Sequence, residues 1–126
     1  MQEKSKKKKI FILSLFTLPT AFIIAKILSS LYYSPRPFVV NHFTPLIDHA
    51  ANNGFPSDHA LLSFTLASIV FVFNRKWGVA LFLMGLAISA SRMYAGIHSP
   101  VDIIGSLLIG TIVSFIYYLI LKRFSK

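Results

Sequence analysis

Residues 100–121 read PVDIIGSLLIGTIVSFIYYLIL and stop at the pair Lys122-Arg123. Only one side chain in this stretch carries a charge, Asp102, and it lies at the start. About 20 apolar residues in helical rise cover a hydrocarbon core of about 30 Å. The stretch therefore reads as a membrane-spanning helix. Working outward, three further apolar stretches appear at about 10–33, 57–74 and 77–96. The first and third are long enough to span. The second is short and must take part of its length from the Pro56-Ser57-Asp58 side. The fold class that follows is all-α: a polytopic transmembrane helical bundle of about four spans.

Composition agrees. The chain has 126 residues, enough for one domain covering 1–126. It is 55% hydrophobic and 13% charged, whereas a soluble domain carries about 25% charged residues. The absence of cysteine excludes disulfides and thiolate metal sites. A net charge of +9 would suggest nucleic acid in a soluble protein. Here the charge sits in short clusters beside apolar runs, where it sets membrane topology instead, so no nucleic-acid partner is expected. The basic start of the first stretch fits a signal peptide. Its apolar part is too long, however, and lacks a clear A-x-A site, so a retained anchor is expected. Residues 1–9 are expected to form a basic, solvated cytosolic tail that meets anionic headgroups.

Orientation follows from the cations. One side of the membrane would hold Lys4, Lys6, Lys7, Lys8, Lys9, Arg75, Lys76, Lys122, Arg123 and Lys126. The other would hold only Arg36 and Arg92, with Lys26 inside the first span. The positive-inside rule then puts both termini in the cytosol. The same orientation sends His42, His49, His59 and His98 outward, together with Asp48, Asp58 and Asp102. Residues 34–56 contain Pro35, Pro37, Pro45, Pro56, Gly54 and Asn52-Asn53, which read as turns of a structured outer loop carrying part of the active site.

Three clusters bear the chemistry: Ser34-Pro35-Arg36-Pro37-Phe38, Phe55-Pro56-Ser57-Asp58-His59, and Ser91-Arg92 followed by His98 and Asp102. All three reach the outer face. Arg36 and Arg92 offer planar forks suited to phosphate oxygens. Ser57 and Asp58 open a helix whose free N–H groups point at the same place, and Ser57 could add a hydroxyl donor. Asp58 also complements the dipole of that helix start. His98 and Asp102 are four apart and would share a face if that segment is helical, so Asp102 can hold the imidazole in one tautomer. An oriented imidazole is a nucleophile, and His59 could supply the proton to the leaving oxygen. A metal site is the competing reading, but two arginines would repel a divalent cation and no H-E-x-x-H pattern exists. Simpler readings stand beside these. Arg92 and Asp102 could form a structural ion pair. His42 and His49 read as solvated loop residues. Tyr32, Tyr33, Tyr94 and Trp77 fit interfacial belts. Gly105, Ser106 and Gly110 fit close helix packing.

Taken together, the clusters resemble the type-2 phosphatidic acid phosphatase superfamily of membrane phosphatases. Its pattern is K-x6-R-P, then P-S-G-H, then S-R-x5-H-x3-D. The chain has Arg36-Pro37, Pro56-Ser57-Asp58-His59, and Ser91-Arg92-x5-His98-x3-Asp102. Asp58 stands in place of the glycine, and Ser29 stands where the lysine is expected, with Lys26 about one turn deeper. The phrases Pro35-Arg36-Pro37-Phe38, His49-Ala50-Ala51 and Phe55-Pro56-Ser57-Asp58-His59 resemble the bacitracin-resistance type of undecaprenyl diphosphate phosphatase in particular.

The resemblance implies a metal-independent enzyme without cofactor in the bacterial plasma membrane, acting on a lipid-linked phosphate or diphosphate. His98 would become the phosphohistidine, Asp102 would orient it, and His59 would be the general acid. Arg36, Ser57, Asp58 and Arg92 would surround the substrate phosphate, with Lys26 as a further candidate. Two other functions remain open: cleavage of another phospholipid monoester, such as phosphatidylglycerophosphate or phosphatidate, or binding of lipid phosphate without turnover. A homo-oligomer is also open. Family members usually have six spans, and one apolar stretch precedes Arg36 here, so two N-terminal helices are expected to be absent.

Overall fold

The computed structural model describes residues 2–124. It contains α1 (Gln2–Leu31), α2 (Pro37–Val40), α3 (Asp58–Phe73), α4 (Arg75–Tyr94) and α5 (Pro100–Phe124), and no strand among the described residues. Three of these helices, α1, α4 and α5, are long and apolar enough to cross a membrane. Only 17–33% of their most apolar windows is buried inside the protein. Phe11, Leu15, Phe16 and Ile23 of α1, and Leu108, Ile112, Phe115 and Ile116 of α5, face outward. That much contiguous apolar surface requires a lipid solvent.

The interior has the opposite character. Thr65 and Ser68 of α3, Ser89 of α4, and Ser106 and Ser114 of α5 are buried. Each hydroxyl bonds the carbonyl one turn back in its own helix, so burial leaves none of them unsatisfied. At 16 residues α3 rises about 24 Å, short of a full hydrocarbon core. It is nevertheless the central helix and packs on α1, α4 and α5. Small side chains let the helices close. Ala21 and Ala25 of α1 meet Leu61, Ile109 and Val113, while Ala60, Phe64 and Ile103 form a second cluster. At Gly110 of α5 an added Cβ would strike both the side chain and the backbone of Thr65. Gly105 differs from the expected helix contact, because its open face admits the ring of Phe55 from the loop at residues 34–56.

Several boundaries depart from those expected. The basic segment at residues 4–9 is helical, continuing α1 outward to Gln2. Thirty residues rise about 45 Å, so the lysine turns can project beyond the hydrocarbon into the headgroup zone. Arg75 and Lys76 lie in the first turn of α4 rather than in a connecting loop. Asn74 alone makes the connection. Its N–H bonds Val70 O to close α3, and its side chain accepts from the Trp77 N–H at 3.2 Å to open α4. The two helices pack as an antiparallel pair, with Gly78 against Phe71 and Gly85 against Phe64. Their far ends, and the α4–α5 turn at residues 95–99, then frame one end of the bundle.

Candidate active site

Residues 34–56 fold over that end of the bundle. Asn53 anchors them. Its Nδ2 donates to Ser29 O, Ser29 Oγ and Tyr32 O at the end of α1, at 2.9–3.0 Å. Its Oδ1 accepts the backbone N–H groups of Ser34 and Phe55. The next residue is Gly54, where an added Cβ would lie 2.9 Å from Asp102 Oδ2 and 3.2 Å from Ser34 O. Only glycine lets the loop pass this close to α5.

Arg36 is fixed by the same loop. It is 5% exposed and donates from Nε to Asn52 O and Oδ1, from Nη1 to Ile97 O at 2.9 Å, and from Nη2 to Asn53 O at 3.2 Å. Burial lowers its pKa, with the charge of Asp102 opposing that shift. An arginine starts so far above neutrality that the guanidinium stays charged. Its Nη1 also approaches Nε2 of His98 at 3.5 Å. On the other side of the imidazole, Nδ1 lies 3.2 Å from Asp102 Oδ2, which also accepts the Ser99 N–H at 2.9 Å. A carboxylate accepts hydrogen bonds, so Nδ1 carries the hydrogen and Nε2 keeps its lone pair.

His98 lines a cavity of about 460 Å³, whose wall also includes Lys26, Arg36, His49, Asp58, His59 and Arg92. Three chain-distant clusters thus meet, since Arg36 comes from the loop, Asp58 and His59 from the first turn of α3, and Arg92 from the last turn of α4. The wall holds three cations against the single acid Asp58. The expected alternative pairing of Arg92 with Asp102 does not occur; Oδ2 of Asp102 is engaged by His98 and Ser99, and its Oδ1 is buried with no hydrogen-bond partner. The Nε of Arg92 is buried without a hydrogen-bond partner. A planar, unpartnered guanidinium beside a second one is suited to a phosphate.

The sequence profile of the PAP2 superfamily matches residues 10–126. The chain belongs to the PAP2 superfamily. Among its curated relatives, the undecaprenyl-diphosphatase BcrC of Bacillus subtilis (strain 168) is 38% identical over 96 residues, 76% of this chain and 50% of the relative. The bacitracin transport permease protein BcrC of Bacillus licheniformis is 31% identical over 109 residues, 86% of this chain and 54% of the relative. An undecaprenyl-diphosphatase of Sulfolobus acidocaldarius is 33% identical over 109 residues, 79% of this chain and 52% of the relative. The chain spans about half the length of these relatives. With its long apolar helices, this PAP2 chain is a multi-pass membrane protein.

The PAP2 motif residues do not all occupy the positions expected of them. Ser57 is fully buried and stands off the cavity wall. Its Oγ caps α3 by accepting the Ala60 N–H at 3.3 Å, and its backbone is tied to α5 through Asp102 O and the Ser106 hydroxyl. Asp102 likewise acts from behind, through His98. His49, read as a solvated loop residue, lines the cavity with its ring centroid 6.5 Å from that of His98. His42 is exposed and stands off the wall. Asn52 and Asn53, read only as turn formers, clamp Arg36 and the end of α1. The resemblance of the His49-Ala50-Ala51 phrase to the bacitracin-resistance branch was the one sequence signal pointing to this segment.

Proposed function

We propose that this chain is a single membrane phosphatase domain that hydrolyses undecaprenyl diphosphate to undecaprenyl phosphate and inorganic phosphate through a phosphohistidine at His98. Its termini lie in the cytosol and its active site on the outer face of the plasma membrane. The observation that carries the reading is the imidazole of His98 gripped between Asp102 and Arg36 on the wall of a cation-rich cavity. The names of the relatives support the choice of substrate.

The reaction has two steps. Nε2 of His98 attacks the terminal phosphorus. The bridging P–O bond breaks, its electron pair goes to the lipid phosphate oxygen, and His59 supplies a proton there. Arg36 and Arg92 hold the equatorial oxygens as charge spreads over them. Asp102 stabilises the imidazolium character that develops on His98. In the second step His59, now neutral, takes a proton from water as that water attacks the phosphohistidine. Phosphate leaves and His98 is restored. The positive charge that a metal would bring is already supplied by the two guanidinium groups.

The test is purified protein in detergent, given undecaprenyl diphosphate labelled in its terminal phosphate. Phosphate release is expected, with acid-labile label trapped on His98 and both signals lost in His98→Ala. Label mapping to another residue would end the mechanism. Binding without release would leave a lipid-phosphate binding protein. Faster release from phosphatidate or phosphatidylglycerophosphate would shift the substrate to a monoester.

A further inference from the structure

Between residues 10 and 31, α1 contains a single charged side chain, Lys26. It lies three residues before Ser29, about one turn or 4.5 Å further from the outer end of the helix. Ser29 itself is taken up in the loop anchor, its Oγ accepting from Asn53 Nδ2 at 3.0 Å. Lys26 lines the cavity alongside Arg36, His59, Arg92 and His98. The ion pair found among the described residues is His98 with Asp102, and no hydrogen bond or ion pair holds the Lys26 ammonium. A cation at membrane depth is costly unless it is paired or faces a polar cavity, and such a residue marks a ligand path.

We propose that Lys26 binds the phosphate that remains on the lipid, and so selects a lipid diphosphate over a lipid monophosphate. The proposal rests on the phosphatase reading of the cavity. The transferred phosphorus must sit against Nε2 of His98, beside Arg36 Nη1. The isoprenoid chain must lie in the bilayer. A second phosphate between these two fixed points lies on the bilayer side of the first, the side from which Lys26 enters. Its flexible stem and three donors suit a phosphate whose angle changes as the bridging bond breaks. When that bond breaks, the electron pair goes to the bridging oxygen, which takes the proton of His59. The Lys26 ammonium then faces the remaining charge of the leaving lipid phosphate. A monoester places no phosphate at this position, because its transferred phosphorus is joined directly to the lipid oxygen.

The experiment compares wild type, Lys26→Met and Lys26→Arg on a prenyl diphosphate and on the matching prenyl monophosphate. A charge-assisted contact of this kind corresponds to about 10- to 100-fold in kcat/KM. Lys26→Met is expected to lose that much on the diphosphate and less than about threefold on the monophosphate. Lys26→Arg should recover most of the loss. Equal losses on both substrates, or no loss on either, would overturn the proposal. A binding arm separates it from the parent reading, using a prenyl methylenediphosphonate and a matched prenyl phosphonate, neither of which can be cleaved at the bridge. Wild type should bind the diphosphonate more tightly, and Lys26→Met should erase the difference. Absence of phosphate release in wild type would sink the phosphatase reading, while the binding difference would still decide the role of Lys26.

Discussion

At the residue scale, the site works by fixing both nitrogens of one imidazole. Asp102 Oδ2 holds Nδ1 of His98, and the Arg36 guanidinium, itself gripped by three backbone carbonyls, faces Nε2. His59 is different, since it stands exposed at the first turn of α3 with no partner that orients its ring. A mobile imidazole can give a proton to a leaving oxygen and later receive one from water. His59→Ala is therefore expected to slow lipid diphosphate cleavage by about 10²–10⁴-fold. An aryl phosphate, whose leaving group needs no proton, should lose far less. Equal losses on both substrates would remove His59 from the proton-donor role. Asp102→Asn keeps the shape of the site but weakens its hold on the His98 tautomer. It should leave diphosphonate affinity near wild type while lowering turnover at least tenfold, or roughly 1.4 kcal/mol, as measured by single-turnover phosphate release.

At the element scale, α3 carries the design. It is too short to span alone, yet its neighbours enclose it so closely that its first turn is delivered into the cavity. Ser57 caps it, and Ser106 of α5 donates to Ser57 O while also bonding its own Asp102 O, so the start of α3 and the Asp102 end of α5 are joined. The close approach of α5 to α3 depends on Gly110. Gly110→Leu would drive a side chain into the Thr65 backbone and should destabilise the bundle by about 1–3 kcal/mol, read by denaturant titration in detergent. Ser106→Ala removes one of the two hydrogen bonds that tie the start of α3 to α5, leaving Ser57 N–H on Asp102 O. Its expected cost is about 1 kcal/mol of stability, with a fall in kcat larger than any change in KM, because His98 and His59 lose their common reference. A variant with unaltered stability and kinetics would show that the link is incidental.

At the scale of the whole molecule, polar groups fill the interior and apolar ones cover the outside, as a lipid solvent requires. The cations at residues 4–9, Arg75-Lys76 and Lys122-Arg123 gather on the side opposite the cavity. With no cysteine in the chain, labelling has no background. Thr44→Cys, in the exposed outer loop, should react in intact cells with a thiol reagent that cannot cross the membrane. Ser5→Cys, in the basic turns of α1, should react only after the cells are opened. The reverse pattern would place the cavity in the cytosol.

The chain's own pattern was enough for the spans, the bundle and the three motif clusters. Apolar run length against bilayer thickness is a one-dimensional quantity, and His98 stands only four residues from Asp102, across the start of α5. Those features depend on neighbours in sequence, so they are legible there. The division of labour among the motif residues is not. That Ser57, besides capping α3, is tied to α5 and lies behind the cavity wall follows from the packing of the two helices. Asn52 and Asn53 became the clamp on Arg36, and His49 reached the wall, because an aperiodic loop folded back over the helix ends. The bonds that decide these roles join residues as far as 62 positions apart. Only the tertiary packing of α1, α3 and α5 brings such residues together, since no local period of the chain encodes a contact made across the bundle.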